Sequence, residues 1–318
     1  MNRRTLLKKS IALSASLAAP AGLRAQGRVL RIVVPYAAGG GVDAQARALG
    51  VPLGVALSRS VIVENRAGGN TRIGTDAVRR AAPDGGTILL IPAVAWVGFV
   101  ASASFDYEPW KTLVPVCQIA ETPYNFLQTR AGSGLDSWAK VRALALSTPG
   151  GIKIGGPSAG GFIEYTVDDL LRRGGISGVY APFSGAAPAH AALLGGTVDM
   201  QIVTFGDGVA NVASGATHGI AVSALVRQPR APQVPTFTEL GIGEALQNSF
   251  SLWAPPGTAT AAVTELAAAV RSAMADGAFR TLMEDRLAFT LAFKDATSVA
   301  ADMAAVARDW GPRLRGGR

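Results

Sequence analysis

Val29-Leu30-Arg31-Ile32-Val33-Val34-Pro35-Tyr36-Ala37-Ala38-Gly39-Gly40-Gly41-Val42-Asp43 is the stretch whose reading decides the fold. A β-branched apolar run leads into a glycine-rich turn. Beyond it, residues 42–57 carry apolar side chains near helical spacing, with Asp43 in the first turn, so the stretch reads as strand, turn and helix. The rhythm continues with a strand at 60–64, a loop at 65–74, a helix at 75–81 and a strand at 87–91, the last a continuous apolar run suited to burial on both faces. It restarts after residue 150: strand 152–154, helix 162–172, strand 178–183, helix 186–194, then strands 198–204 and 219–224. Such alternation predicts an α/β fold with two parallel sheets, each covered by helices on both faces.

The end of the chain is Ala-rich and helical over 260–275 and 297–310, after a returning strand at 249–253. It is expected to complete the first domain, which gives domains at 26–125 and 126–247 with a return segment at 248–318. Two crossings between domains make a hinge, and ligands of open α/β sheets bind outside the carboxyl ends of the strands.

At those ends lies an internal echo. Ala38-Gly39-Gly40-Gly41-Val42-Asp43 opens the first helix of one half, and Ala159-Gly160-Gly161-Phe162-Ile163-Glu164 opens that of the other. Glycines let a backbone approach a ligand and turn its N–H groups toward one point, and a helix N-terminus adds partial positive charge, so two such turns face to face would clasp an anion. The same turns also serve simple strand-to-helix packing, and Asp43 and Glu164 also fit as complements to the helix dipoles.

Composition narrows the classes. Of 318 residues 16% are charged and 49% hydrophobic, which excludes a disordered chain. One cysteine, Cys117, excludes an internal disulfide framework and a Cys-based zinc site, and two histidines leave little for a His-rich metal centre. No cofactor is expected. The net charge of +8 owes five basic residues to the first 25, which hold no acid; without them 25 basic residues face 22 acidic ones in no stripe, so nucleic acid is not an expected partner.

The N-terminus reads as an export signal. Arg3, Arg4, Lys8 and Lys9 precede an uncharged run at 10–23 and then Leu23-Arg24-Ala25, with cleavage expected near Ala25 and a mature start near Gln26. Asn2-Arg3-Arg4-Thr5-Leu6-Leu7-Lys8 also resembles the twin-arginine pattern. Either route leads to the periplasm. A second uncharged run, 85–105, has the length of a membrane span, but Pro92 splits it into a strand and a helical part.

Two enzymatic readings compete for the glycine turns. Residues 39–44 can be laid on a dinucleotide fingerprint with Glu64 as the ribose acid, but four residues separate the strand from the glycines, where that fingerprint turns at once. Gly156-Pro157-Ser158-Ala159-Gly160 matches the nucleophile elbow of serine hydrolases, with Asp199 and His218 following in hydrolase order.

Several separated stretches resemble the substrate-binding proteins of tripartite tricarboxylate transporters, the Bug family: residues 33–40, Val63-Glu64-Asn65-Arg66, Ala82-Pro83-Asp84-Gly85, 181–189, Leu193-Leu194-Gly195-Gly196-Thr197-Val198-Asp199 and 234–241. The resemblance implies two Rossmann-like domains of the periplasmic binding protein type, no enzymatic activity, and closure on a small organic carboxylate for a membrane permease or a sensor protein. It also implies a monomer. Carried over, the first loop holds Tyr36, Ala37, Ala38, Gly40, Gly41 and Asp43. The opposing loop holds Pro157, Ser158, Ala159, Gly160 and Gly161, and Phe183, Ser184, Thr204 and Phe205 are further cleft candidates. Ser158 then donates a hydrogen bond instead of attacking a carbonyl. Where relatives carry hydroxyls after the third strand, this chain reads Ile91-Pro92-Ala93-Val94-Ala95-Trp96. Trp96 as a cleft wall would favour a monocarboxylate with a hydrophobic or aromatic body, although it also fits the core. Arg72, in the loop Arg66-Ala67-Gly68-Gly69-Asn70-Thr71-Arg72, is a candidate second anion partner.

Overall fold

The computed structural model describes residues 29–157 and 161–316. The export signal and Ser158, Ala159 and Gly160 therefore lie outside the described residues. In chain order the first part comprises β1 (Leu30–Val34), α1 (Gly41–Leu57), β2 (Val61–Asn65), α2 (Arg72–Arg79), β3 (Thr87–Pro92), α3 (Val94–Ala101), α4 (Pro109–Thr112) and β4 (Val114–Pro123). Next come β5 (Phe126–Arg130), α5 (Trp138–Ser147), β6 (Ile152–Gly156), α6 (Gly161–Gly174), β7 (Gly178–Pro182), α7 (Ala186–Leu194), β8 (Met200–Val203), α8 (Phe205–Ala213), β9 (Thr217–Val222) and α9 (Phe237–Leu240). The chain returns through β10 (Gln247–Ala254), α10 (Thr260–Ala273), α11 (Gly277–Arg280) with a π-helical extension Thr281–Arg286, β11 (Thr290–Asp295) and α12 (Ala296–Gly316).

The strands form two sheets, one per lobe, with orders β11-β4-β10-β3-β1-β2 and β7-β6-β8-β5-β9. This is a mixed α/β architecture of two sheets. The expectation of purely parallel sheets is corrected: β1 pairs in parallel with β2 and β3, but β10 runs antiparallel to β3 and β4, and β5 antiparallel to β8 and β9. The physical reason is the crossing itself. The chain passes directly from β4 to β5 and later returns from β9 to β10, and strands entering a sheet from the other lobe take the opposite direction to those built by βαβ turns.

The first sheet is buried on both sides, as its apolar strands require. Leu30, Ile32, Val34, Ile88 and Leu90 pack beneath α1 and α10, while Val33, Leu89 and Ile91 pack against α2, α3 and α12. The run at 85–105 is thus a strand and an eight-residue helix, and among the described residues no helix is long and apolar enough to cross a membrane. In the second lobe Leu127, Ile154, Met200 and Ile202 lie under α5 and α6, and Phe126, Val203 and Val222 pack with Phe205 on the other side.

Candidate functional site

The first glycine turn is built from its own carboxylate. Asp43 is 4% exposed; its Oδ2 accepts the Gly39 amide at 2.9 Å and Arg47 Nε at 3.0 Å. Burial pushes the Asp43 carboxyl up, but the hydrogen bonds from Arg47, the Gly39 amide and Asn65 prevail and hold it below the usual carboxylate range. Asn65 Nδ2 donates to the Tyr36 carbonyl at 3.2 Å, so β2 ties down the start of the same loop. Asp43 is therefore a brace of the turn. Ala37, Ala38, Gly39, Gly40 and Gly41 are exposed, and the N-cap Gly40 has no side-chain bond to offer, which leaves the first-turn amides of α1 without a side-chain cap.

Three tyrosines lie on the segments that follow β1, cross between the lobes and form β7. Tyr36 begins the loop after β1, Tyr124 lies in the β4–β5 crossing, and Tyr180 lies on β7. Burial pushes the Tyr36 and Tyr124 phenols far up; the field of Tyr124 adds to the shift at Tyr36, and that of Tyr180 to the shift at Tyr124. Tyr36 and Tyr124 both pack against the cluster that contains Trp96 and Phe162. Tyr180 also closes over the strand that feeds the second turn: a Cβ added at Gly156 would lie only 2.4 Å from the Tyr180 hydroxyl oxygen. A side chain at 156 would displace the Tyr180 ring and crowd Ile202. The spacing of Tyr124 carries no motif, and only the crossing between the lobes brings it to the cluster that Tyr36 also packs against.

The remaining candidates divide. Ser184 and Thr204 are exposed, and Phe183 and Pro157 are half-buried. Thr204 Oγ1 caps α8, accepting the Asp207 amide at 3.3 Å. Phe205 is buried, its ring 6.1 Å from that of Phe126, so it belongs to the second-lobe core and not to a cleft surface. Trp96 is likewise corrected. It is fully buried, packs edge-on against Trp253 at 5.1 Å, and its indole N–H donates to Thr75 Oγ1 at 3.3 Å. The apolar sequence after β3 serves the core, because α3 is sandwiched between the sheet and α12. Arg72 pairs with Asp106 at 2.7 Å and with Asp76 at 3.6 Å, which occupies the charge proposed for an anion.

The hydrolase reading fails on register. Asp199 stands just before β8, level with Lys153, whose amide donates to its carboxylate at 2.8 Å. His218 is on β9, which lies three strands from β6, or about 14 Å at the usual strand spacing. With β5 between β8 and β9, the two residues are about 10 Å apart, too far for the shared hydrogen bond a triad needs.

Comparison with known proteins agrees with this geometry. The family model described as tripartite tricarboxylate transporter family receptor matches residues 46–304. BugT of Bordetella pertussis is 32% identical over 234 residues, covering 73% of this chain and 72% of its own. The solved periplasmic binding protein BugD superposes with a TM-score of 0.77 at 26% identity, covering 91% of this chain and 97% of its own. MatC from Rhodopseudomonas palustris, solved with bound malate, gives 0.75 at 26% identity over 90% and 99%. The two-sheet architecture is the two-domain fold of these binding proteins, and the chain belongs to the tripartite tricarboxylate transporter receptor family of periplasmic solute-binding proteins.

Proposed function

We propose that this protein is an exported receptor whose lobes, residues 26–125 with 248–318 and residues 126–247, close on a small organic carboxylate for delivery to a tripartite-type permease. A leader ending near Ala25 would place the monomeric receptor in the periplasm. The observation that carries the reading is the exposed turn Ala37–Gly41 at the N-terminus of α1, which no side chain caps. Backbone amides and hydroxyls can hold a carboxylate without a fixed cation, and a reversible receptor gains from that because its ligand must leave again. Ser158, Gly160 and Gly161 supply the facing donors in this reading. MatC, similar at 26% identity, carries malate, which supports the carboxylate class. With Trp96 in the core, the case for an aromatic body weakens, and short aliphatic acids become the first to test.

The test is thermal unfolding of the chain from Gln26 onward with malate, aliphatic monocarboxylates and aromatic carboxylates. A true ligand raises Tm progressively with concentration, equivalent to about 2.7 kcal/mol at a hundred times Kd. The Ser158→Ala variant should lose part of that shift, with no ester turnover in either protein. A panel in which no carboxylate moves Tm would overturn the reading.

A further inference from the structure

The second turn leads directly into α6, and α6 is gripped by the other end of the chain. Phe162, in its first turn, is 2% exposed and lies 5.6 Å from Tyr124 of the crossing and 5.5 Å from Trp310 of α12. One helical turn on, Tyr165 meets the same indole edge-on at 5.6 Å. Residues three apart share a helix face, so Phe162 and Tyr165 form one jaw on Trp310. Further along, Arg173 of α6 donates to Glu244 Oε1 at 2.6 Å, and Arg313 of α12 donates to Glu244 Oε2 at 2.8 Å. Arg313 also stands 5.3 Å from the Trp310 ring, so the aromatic and ionic contacts are one unit. Both arginines favour the ionised carboxylate, and Glu244 is held below the usual range, chiefly by the hydrogen bond from Arg313.

The anchor of this unit is the first lobe. Val299 and Met303 of α12 are buried in the cluster that contains Trp96 and Trp253. The last turns of α12 therefore reach from the first-lobe core to the helix that follows the second-lobe turn. We infer that Trp310, with the Arg173–Glu244–Arg313 bridge, is a positioning element: a C-terminal strap that holds α6 against the first lobe and so sets how readily the cleft closes. The inference rests on the cleft reading above in one respect, that the turn before α6 takes part in binding.

If the strap stabilises the closed arrangement, loosening it lowers the fraction of molecules competent to bind and raises the apparent Kd by the same factor. The experiment uses the mature chain with spin labels on Val55→Cys of α1 and Leu146→Cys of α5, both exposed positions, Cys117 being buried. Pulsed distance measurements are made without ligand and with malate as probe. Trp310→Ala and Glu244→Gln are expected to lengthen or broaden the ligand-free distance distribution, whereas Trp310→Phe, which keeps a ring in the jaw, should leave it close to that of the parent. Where malate binds, Trp310→Ala should weaken it by about ten-fold and Trp310→Phe by much less. A lobe distance unchanged in both Trp310→Ala and Glu244→Gln, with far-UV circular dichroism showing folded protein, would overturn the strap. Failure of malate to bind leaves the strap to be decided by the ligand-free distances, while the cleft reading is decided by the carboxylate panel.

Discussion

The two glycine turns are alike in sequence and unlike in what stands behind them. Behind the first lies an aromatic core: Trp96 and Trp253 meet edge-on in a buried cluster. In the second lobe the corresponding space holds a hydrogen-bonded amide network. Gln128 Nε2 donates to Gln201 Oε1 at 2.7 Å, Thr217 Oγ1 donates to Gln128 Oε1 at 3.0 Å, and Gln201 Nε2 donates to the carbonyl of Ala186, first residue of α7, at 3.1 Å. His190 Nδ1 lies 3.1 Å from Gln201 Oε1. An aromatic core tolerates small rearrangements poorly because packing is dense, and a polar network fails when one member is removed because its partners are stranded. The contrast teaches that a repeated turn motif leaves the chemistry of the core behind it free.

The largest effect should come from the aromatic side. Trp96→Ala is expected to cost about 3–5 kcal/mol of unfolding free energy in urea, as large-to-small core changes do. Trp96→Phe sharpens the point, because a core role predicts lost stability with affinity intact, whereas a cleft role predicts the reverse. On the polar side Gln128→Ala should cost about 2–3 kcal/mol, since Thr217 and Gln201 lose their partner inside the fold. The two losses should add, the residues belonging to different lobes.

How far the sequence reveals this contrast follows from which interactions are local. The β1 stretch, the glycine turn before α1 and the apolar β3 run are read correctly because alternation, turn residues and burial on both faces are written within a few residues. β4, β5 and β11 are absent from that alternation. β4 contains Pro115, Gln118, Thr122 and Pro123, and it becomes a strand only through its antiparallel register with β10, Asn248 opposite Thr122 and Leu252 opposite Cys117. Helix α2 begins at Arg72, earlier than the expected residue 75, because Asn70 and Thr71 take left-handed backbone angles that turn the chain abruptly into the helix. Trp96 reads as either wall or core because its deciding neighbour, Trp253, arrives with the return strand. The Tyr124 and Tyr180 phenols are invisible for the same reason.

A smaller effect separates the acid of the first turn from one further along α6. Asp43 holds its turn by accepting from Gly39 and Arg47, whereas Asp168 of α6 has its carboxyl pushed up by burial and by Glu164. A carboxyl held below its unfolded value contributes stability above that value, near 3.9, and loses it as pH falls through the folded value. A carboxyl held above it, like Asp168, has the opposite sign and disfavours folding at neutral pH. Asp43→Asn should therefore cost about 2 kcal/mol at pH 7 and much less at pH 3, while Asp168→Asn should be neutral or slightly stabilising at pH 7. Urea unfolding at the two pH values checks both signs.

The finest comparison lies within the first turn. Gly39 has φ of 86°, in the left-handed region, while Gly40 has φ of −81° and its nearest neighbour to an added Cβ is the Ala37 carbonyl oxygen at 3.7 Å. Space is open at both positions, so only backbone conformation distinguishes them. Gly39→Ala should cost about 1–2 kcal/mol through left-handed strain, and the strain falls on the amide that bonds Asp43. Gly40→Ala should lie within about 0.5 kcal/mol of the parent in stability. Its methyl would nevertheless stand at the uncapped α1 N-terminus, where the proposed function has a carboxylate approach. A Gly40→Ala protein that unfolds like the parent yet binds malate more weakly would separate the ligand's need for glycine from the fold's. Equal binding would show that the first-turn amides are not where the anion sits.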